Sequence, residues 1–284
     1  MAVRSIRDVI TSGPMLVAPG AFDGVTATLI AQAGFDGLYM TGAGTSASMG
    51  LPDFGLLSMT EMVDNARRIT STVDIPLIAD ADTGYGNELN MFRTVQAFER
   101  AGVSAIHIED QSFPKRCGHL DNKELVPLDD YLAKIRAAAD ARKSKDFILI
   151  ARTDSRAVEG FEESVRRVNA ALEAGADVAF VEAPQTLEEV EAVPKLVKGP
   201  CLLNMVHNGK TPSVDFMWAE QVGYRITIVP GLLLRTVIGA CDAALAELKS
   251  TNRHPAPPNI DRTPAQTFAR FGADIWNERR TKYR

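Results

Sequence analysis

Four times along the chain a helical run closes on a small or β-branched residue followed by glycine, and a short apolar run begins. The segments are Ala33-Gly34-Phe35-Asp36, Ala101-Gly102-Val103-Ser104, Ala174-Gly175-Ala176-Asp177 and, more weakly, Val222-Gly223-Tyr224-Arg225. Glycine suits the left-handed residue that commonly ends a helix, so each segment marks a helix-to-strand turn. Apolar or β-branched runs recur at residues 15–18, 37–41, 77–80, 105–109, 147–152, 178–182, 202–205 and 226–230, which makes eight candidate strands. Between them, residues 59–69, 91–98, 131–141 and 161–172 place apolar side chains at helical spacing. Strands alternating with helices imply a parallel sheet. Eight units favour a closed (β/α)8 barrel of the TIM type over an open doubly wound sheet, which usually has fewer strands and a glycine-rich loop after the first. The sequence has no such loop. A barrel of this kind takes about 250 residues. The expected division of the 284 residues is therefore a catalytic barrel over 1–250 and a helical extension over 251–284.

The strand ends carry the second constraint. In chain order they finish in Thr41, Asp80 and Asp82, Glu109, Arg152 and Asp154, Glu182, and Asn204. In a barrel all these ends meet on one face, where such enzymes place their chemistry. Polar sequence resumes at any strand end, but agreement among so many makes that explanation less attractive. The two-residue period of a strand puts Asp80 and Asp82 on one side, and His107 and Glu109 likewise on the next. Three acids gathered at a barrel mouth repel one another unless a cation neutralises them. Oxygen ligands without a matching His and Cys set favour Mg²⁺, with Mn²⁺ as a substitute, over zinc. Surface acids in a loop are the plainer alternative, which the shared strand face argues against.

Composition narrows the partners. A net charge of −5 offers no sequence-wide basic field, so nucleic acid is not expected. Residues 1–13 carry Arg4, Arg7 and Asp8 and do not resemble a secretory signal, and no apolar run approaches the length of a membrane span. A cytoplasmic protein is expected. Cys117, Cys201 and Cys241 are an odd number and widely separated, which argues against a disulfide framework. Cys201 and Cys241 stand in apolar runs, where a thiol acts as a small hydrophobe. Cys117 stands among Lys115, Arg116 and His119, cations that are expected to lower its pKa and ease proton exchange near neutrality. After the last unit, His254-Pro255-Ala256-Pro257-Pro258-Asn259 breaks any helix. Residues 263–282 then show near-helical spacing of Phe268, Phe271, Ile275 and Trp276. Such an appended helix needs a partner surface, on this barrel or on a neighbouring subunit.

Lys115-Arg116-Cys117-Gly118-His119 resembles the signature of the isocitrate lyase and phosphoenolpyruvate mutase superfamily, in its lyase branch. Further blocks stand in the same order: Thr41-Gly42-Ala43-Gly44, Gly50-Leu51-Pro52-Asp53, Asp80-Ala81-Asp82-Thr83-Gly84-Tyr85-Gly86, Ile108-Glu109-Asp110, Ala151-Arg152-Thr153-Asp154, and Asn204 through Pro212. The resemblance runs from about residue 16 to residue 212.

It implies an α/β barrel whose C-terminal helix is exchanged between paired subunits, usually in a homotetramer built as a dimer of dimers. It also implies a Mg²⁺ enzyme acting on a small dicarboxylic acid. By position, Asp80, Asp82 and Glu109 would hold the ion directly or through water, with Asp53 nearby. Thr41, Gly42 and Ala43 would hold the 2-oxo acid carboxylate, together with Arg152. Gly118, His119, Glu182, Asn204 and Thr211 would face the other carboxylate. Cys117 would donate the proton, and Tyr39 is a candidate base. Methylisocitrate lyases typically show Asn-x-Thr-Glu-Phe-Gly-x-Thr-Pro, where this chain has Val206 and His207 in place of the Thr-Glu pair. Loss of that hydroxyl argues against a tricarboxylate. The order of expectation is a 2-alkylmalate (dimethylmalate-type) lyase, then an oxaloacetate hydrolase or decarboxylase, then a 2-methylisocitrate lyase, with an inactive scaffold barrel last.

Overall fold

The computed structural model describes residues 5–120, 122–255 and 262–284. Eight parallel strands close into a barrel in sequence order. They are β1 Leu16–Ala21, β2 Leu38–Met40, β3 Leu77–Asp80, β4 Ala105–Glu109, β5 Ile148–Thr153, β6 Val178–Val181, β7 Cys201–Asn204 and β8 Tyr224–Val229. The helices up to β8 are α1 Ile6–Thr11, α2 Gly24–Gln32, α3 Gly42–Ser48, α4 Met59–Thr70, α5 Glu88–Arg100, α6 Leu128–Ala141, α7 Phe161–Glu173, α8 Leu187–Leu196 and α9 Phe216–Val222. After β8 come α10 Leu232–Thr251, α11 Pro264–Ala269 and α12 Ala273–Lys282. Gly34, Gly102, Gly175 and Gly223 have φ of 85°, 83°, 118° and 118°, the left-handed geometry that their turns require.

The core has an inner and an outer layer. Inside the barrel, Leu16, Tyr39, Ile78, Ile148, Phe180 and Leu202 pack with Ile6, Val9 and Ile10 of α1. Helix α1 starts at a capping box in which Ser5 accepts from Asp8 N and the Asp8 side chain accepts from Ser5 N. Arg225 ties it to β8 by donating to Val9 O and Gly13 O, at 2.6 and 2.8 Å. Outside, the other faces of the strands pack against the helices, around Phe98 and Tyr131 on one side and Val190 and Tyr224 on the other. Burying one such side chain contributes about 1.5–3 kcal/mol.

Two compact units are distinguished, one ending at Leu234 and one covering Arg235–Arg284. The helical pattern at the C-terminus resolves into α11 and α12 rather than one helix, because Gly272 adopts a left-handed φ of 81° between them. Of the helix-breaking run, residues 256–259 lie outside the described residues. No residue of α10 is buried, and Val237, Ile238, Leu245 and Leu248 are all exposed. Among the described residues no helix is long and apolar enough to cross a membrane.

Candidate active site

Parallel register brings the polar strand ends together. Asp80 stands opposite His107 across β3 and β4, and Glu109 opposite Arg152 across β4 and β5. Thr41, Asp80, Asp82, Glu109, Arg152, Glu182, Asn204 and Thr211 are all buried. Asp82 reaches Asp80 by a route that the strand period did not foresee. It lies beyond the end of β3 with φ at 48°, and its N–H donates to Asp80 Oδ1 at 2.9 Å. A tight turn, not strand alternation, pairs the two acids. Thr41 caps α3 through Gly44 N, and Gly42 follows so closely that a Cβ there would stand 2.4 Å from Asp80 Oδ2. Ala43 continues that first turn.

Two cations sit among these acids. Lys115 Nζ lies 2.6 Å from Asp53 Oδ1 and 2.9 Å from Asp82 Oδ1, so Asp53 joins the group through the lysine. Arg152 NH1 lies 3.1 Å from Glu109 Oε2. Among the described residues the acids are thus arranged around Lys115 and Arg152, and no three His, Cys, Asp or Glu side chains form a ready-made metal cage. The oxygens are nevertheless underused. Both Glu109 oxygens are buried without a hydrogen bond, and Asp82 Oδ1 meets only the Lys115 ammonium, at 2.9 Å. Buried carboxylate oxygens of this kind are a good fit to a hard divalent ion.

Their electrostatics agree. Burial raises the Asp82 carboxyl to about 6, against the pull of Lys115, and raises Glu109 well above the usual carboxylate range against Arg152 and Lys115. For Asp80 burial also works upward, but proximity to His107, then Lys115 and Arg152, leaves it well below that range. Tyr39 OH lies 2.7 Å from His107 Nε2 and 3.4 Å from Asp80 Oδ2. Burial holds His107 at about 4, so its imidazole is neutral near pH 7. Burial, then Asp80, holds the Tyr39 phenol well above its ordinary value.

Cys117 stands on the loop between β4 and α6 and is half-buried. Contrary to the expectation from its sequence neighbours, its thiol is pushed up to about 11, by burial first and then by Asp53. The physical reason is that Lys115 turns toward Asp53 and Asp82, while the thiol loses water. Gly118 lies against two charged groups: a Cβ there would be 2.1 Å from Glu182 Oε1 and 2.5 Å from Arg152 NH2. His119 Nδ1 accepts from Lys210 N at 3.1 Å, which assigns the imidazole proton to Nε2, 3.4 Å from Glu182 Oε1. Asn204 Nδ2 donates to Glu182 Oε2 at 3.1 Å. Asn204 Oδ1, Thr211 Oγ1 and His119 Nε2 are buried polar atoms without a hydrogen bond, so this second pole also presents unused donors and acceptors.

Behind the mouth lies a layer to which the sequence assigned no role. Asp154 accepts from Arg152 Nε and NH2 at 2.9 and 3.1 Å and from Lys123 Nζ at 2.7 Å. Asp110 accepts from Thr153 Oγ1 at 2.5 Å and from Asp154 N at 2.9 Å, and faces Arg167 at 3.3 Å. Asp110 and Asp154 stand in blocks of the family resemblance without an assigned role, and only its charge could have pointed to Lys123.

The family model described as phosphoenolpyruvate phosphomutase matches residues 6–249. A 2,3-dimethylmalate lyase of Eubacterium barkeri is 47% identical over 226 residues, covering 79% of this chain and 78% of that protein. A 2-methylisocitrate lyase of Aeropyrum pernix is 42% identical over 243 residues, covering 86% and 78%. The solved structure of oxaloacetate acetylhydrolase with 3,3-difluorooxalacetate superposes with a TM-score of 0.94 at 37% identity, covering 99% of this chain and 96% of that one. Together with the barrel and its cysteine loop, these matches establish that the chain belongs to the phosphoenolpyruvate mutase/isocitrate lyase superfamily.

Proposed function

We propose that this chain is a Mg²⁺-dependent carbon–carbon lyase that cleaves a small 2-hydroxy dicarboxylic acid of the 2-alkylmalate type into a 2-oxo acid and a carboxylic acid. The observation that carries the reading is a protonated thiol, Cys117, on a loop whose Lys115 meets Asp82 and whose Gly118 and His119 lie against Glu182, so that the loop touches two groups of buried polar atoms: Glu109 and Asp82 in one, and Asn204, Thr211 and His119 in the other. The first group suits a divalent ion and the 2-hydroxy acid end. The second suits the other carboxylate.

When bound, the ion supplies Lewis-acid polarisation of the substrate's 2-hydroxyl and adjacent carboxylate. Asp80, Asp82 and Glu109 would hold it, with Asp53 steadying Lys115 beside them. Thr41, Gly42, Ala43 and Arg152 orient the carboxylate at that end. The hydroxyl proton leaves toward Tyr39, whose high pKa requires that it pass its own proton to His107 Nε2 as it accepts. C2 becomes a carbonyl as the C2–C3 bond breaks, and the electron pair is delocalised onto the carboxylate attached to C3. His119 Nε2–H, Asn204 and Thr211 face that growing charge. Cys117 Sγ–H then protonates C3. A thiol pushed up to about 11 is fully protonated near pH 7, the state a donor needs.

The dicarboxylate preference is supported by Val206, which offers no hydroxyl to a third carboxylate, and by the dimethylmalate lyase similarity. The exposed apolar residues of α10 and of the segment with Phe268 and Trp276 support a homotetramer with exchanged C-terminal helices, with residues 251–284 serving oligomer contacts. Three unpaired thiols suit a cytoplasmic setting. The test is turnover of 2,3-dimethylmalate, 2-methylisocitrate and oxaloacetate, with and without Mg²⁺, in the wild type and in Cys117→Ser. Metal-dependent cleavage of dimethylmalate, lost in Cys117→Ser, is expected. Preference for either of the other acids would replace the substrate, and full activity in Cys117→Ser would remove the proton donor.

A further inference from the structure

Lys123 is a buried cation that the reaction does not use. Its side chain is 1% exposed and faces Asp154 at 0%. Its ammonium donates to two acceptors, Asp154 Oδ1 at 2.7 Å and the backbone oxygen of Gly118 at 2.5 Å. Gly118 stands between Cys117 and His119, the thiol and the imidazole of the loop. Asp154 in turn accepts from Arg152 through both of its oxygens. One carboxylate therefore holds the guanidinium that binds substrate and the ammonium that grips the thiol loop.

Charge balance explains part of the lysine, because Arg152 is shared between Asp154 and Glu109, but it does not explain the bond to Gly118 O. Arg152 already meets Asp154 with two parallel hydrogen bonds, which is the strongest common arrangement for such a pair. Burying a second cation is costly in lost hydration unless it makes further hydrogen bonds. The bond to Gly118 O is what Lys123 adds. The rest of the loop shows why a grip is needed there. Its base is stitched by backbone bonds from Ser112 N to Glu124 O and from Val126 N to Asp110 O, and Gln111 clamps the backbone of Arg116. Nearer the tip, a backbone bond from Leu120 N to Cys117 O closes a turn within the loop, and the ties that leave the loop are side-chain contacts: Lys115 to Asp53 and Asp82, His119 to Lys210 N, and Lys123 to Gly118 O. Of these, the Lys123 bond is the one that joins the residue next to Cys117 to the floor of the site.

We propose that Lys123 is a positioning residue for the proton donor, holding the Gly118 backbone to Asp154 so that the Cys117 thiol and Arg152 are set in place by the same carboxylate. This rests on the lyase reading of the site. The experiment compares Lys123→Met, which keeps the length and removes the donors, with Lys123→Arg, which keeps them. Two quantities are read: steady-state kinetics on the best substrate found, and the rate at which iodoacetamide alkylates Cys117, followed by peptide mass spectrometry. Lys123→Met is expected to lower kcat by about 10–100-fold while KM changes by less than about threefold. It should speed Cys117 alkylation about tenfold at pH 8.5, as the loosened thiol regains water and its pKa falls toward the free value. Lys123→Arg should restore most of both. Thermal unfolding checks that Lys123→Met is folded, as Asp154 keeps Arg152; if it is not, Lys123→Gln takes its place. An alkylation rate equal to that of the wild type in the folded donor-less variant would overturn the proposal. Alkylation does not depend on turnover, so the positioning role stays separately readable even if Cys117 fails as the proton donor.

Discussion

Glu109 and Asp110 are neighbours in sequence, both fully buried, and they lead opposite lives. Glu109 ends β4 facing the barrel mouth, with neither oxygen accepting a hydrogen bond. Asp110 faces outward to Thr153, Asp154 N and Arg167 of α7, and both of its oxygens accept. The same division holds more widely: Asp82 Oδ1 meets only the Lys115 ammonium at the mouth, while Asp154 takes three hydrogen bonds behind it. Burial raises the pKa of both Glu109 and Asp110, so a perturbed carboxyl alone does not mark a site. What separates them is satisfaction. A folded chain leaves buried acceptors unpaired where a ligand completes them, and completes them itself where they serve the scaffold.

The comparison can be broken most visibly at Glu109. Glu109→Gln keeps the shape and removes the charge, and steady-state kinetics should show kcat/KM down by roughly 100-fold or more, the range expected when a metal site loses a direct or supporting ligand. Gly118→Ala follows, with kcat lower by about 10–100-fold, because misplacing a reacting group by about 1 Å has that cost. Its added Cβ would meet Glu182 and Arg152, so the thiol loop must lift; wild-type kcat in Gly118→Ala would show that the loop has slack. Asp110→Asn should do the reverse of Glu109→Gln. Denaturant unfolding should find it about 1–3 kcal/mol less stable, since one of the two oxygens that accept from Thr153, Asp154 N and Arg167 is replaced by a donor, with turnover lowered only a few-fold. The last expectation concerns pH dependence. The Cys117 pKa is raised above that of a free thiol, so its reactive thiolate is scarce at neutral pH and grows as pH approaches 11. In the metal-free protein, alkylation of Cys117 should rise about tenfold per pH unit from pH 7 to pH 10. A plateau reached by pH 8 would mean that Lys115 and Arg116 lower the pKa after all.

Much of this was legible in the sequence. The turn glycines, Gly34, Gly102, Gly175 and Gly223, announce the barrel because only a left-handed residue makes those turns, and barrel closure then carries Asp80, Glu109, Arg152, Glu182 and Asn204 to one face. Two things were not legible. The direction of the Cys117 shift depends on where Lys115 points, and sequence adjacency does not fix that. The pairing of Lys123 with Asp154 spans 31 residues and belongs to no pattern. Helix α1 had a readable signal in Ser5 and Asp8, the two ends of a capping box, followed by Val9 and Ile10. It is short enough that its apolar face becomes meaningful only once the barrel's interior is there to receive it.

The most direct measurement is a calorimetric titration of Mg²⁺, in the presence of oxalate, into the wild type, Glu109→Gln and Asp110→Asn. If unsatisfied oxygens mark the ion site, the wild type and Asp110→Asn should bind one ion with similar affinity, and Glu109→Gln should bind it at least about tenfold more weakly. Equal affinity in all three proteins, or loss in Asp110→Asn alone, would contradict the assignment of the barrel-mouth carboxylates as the metal site.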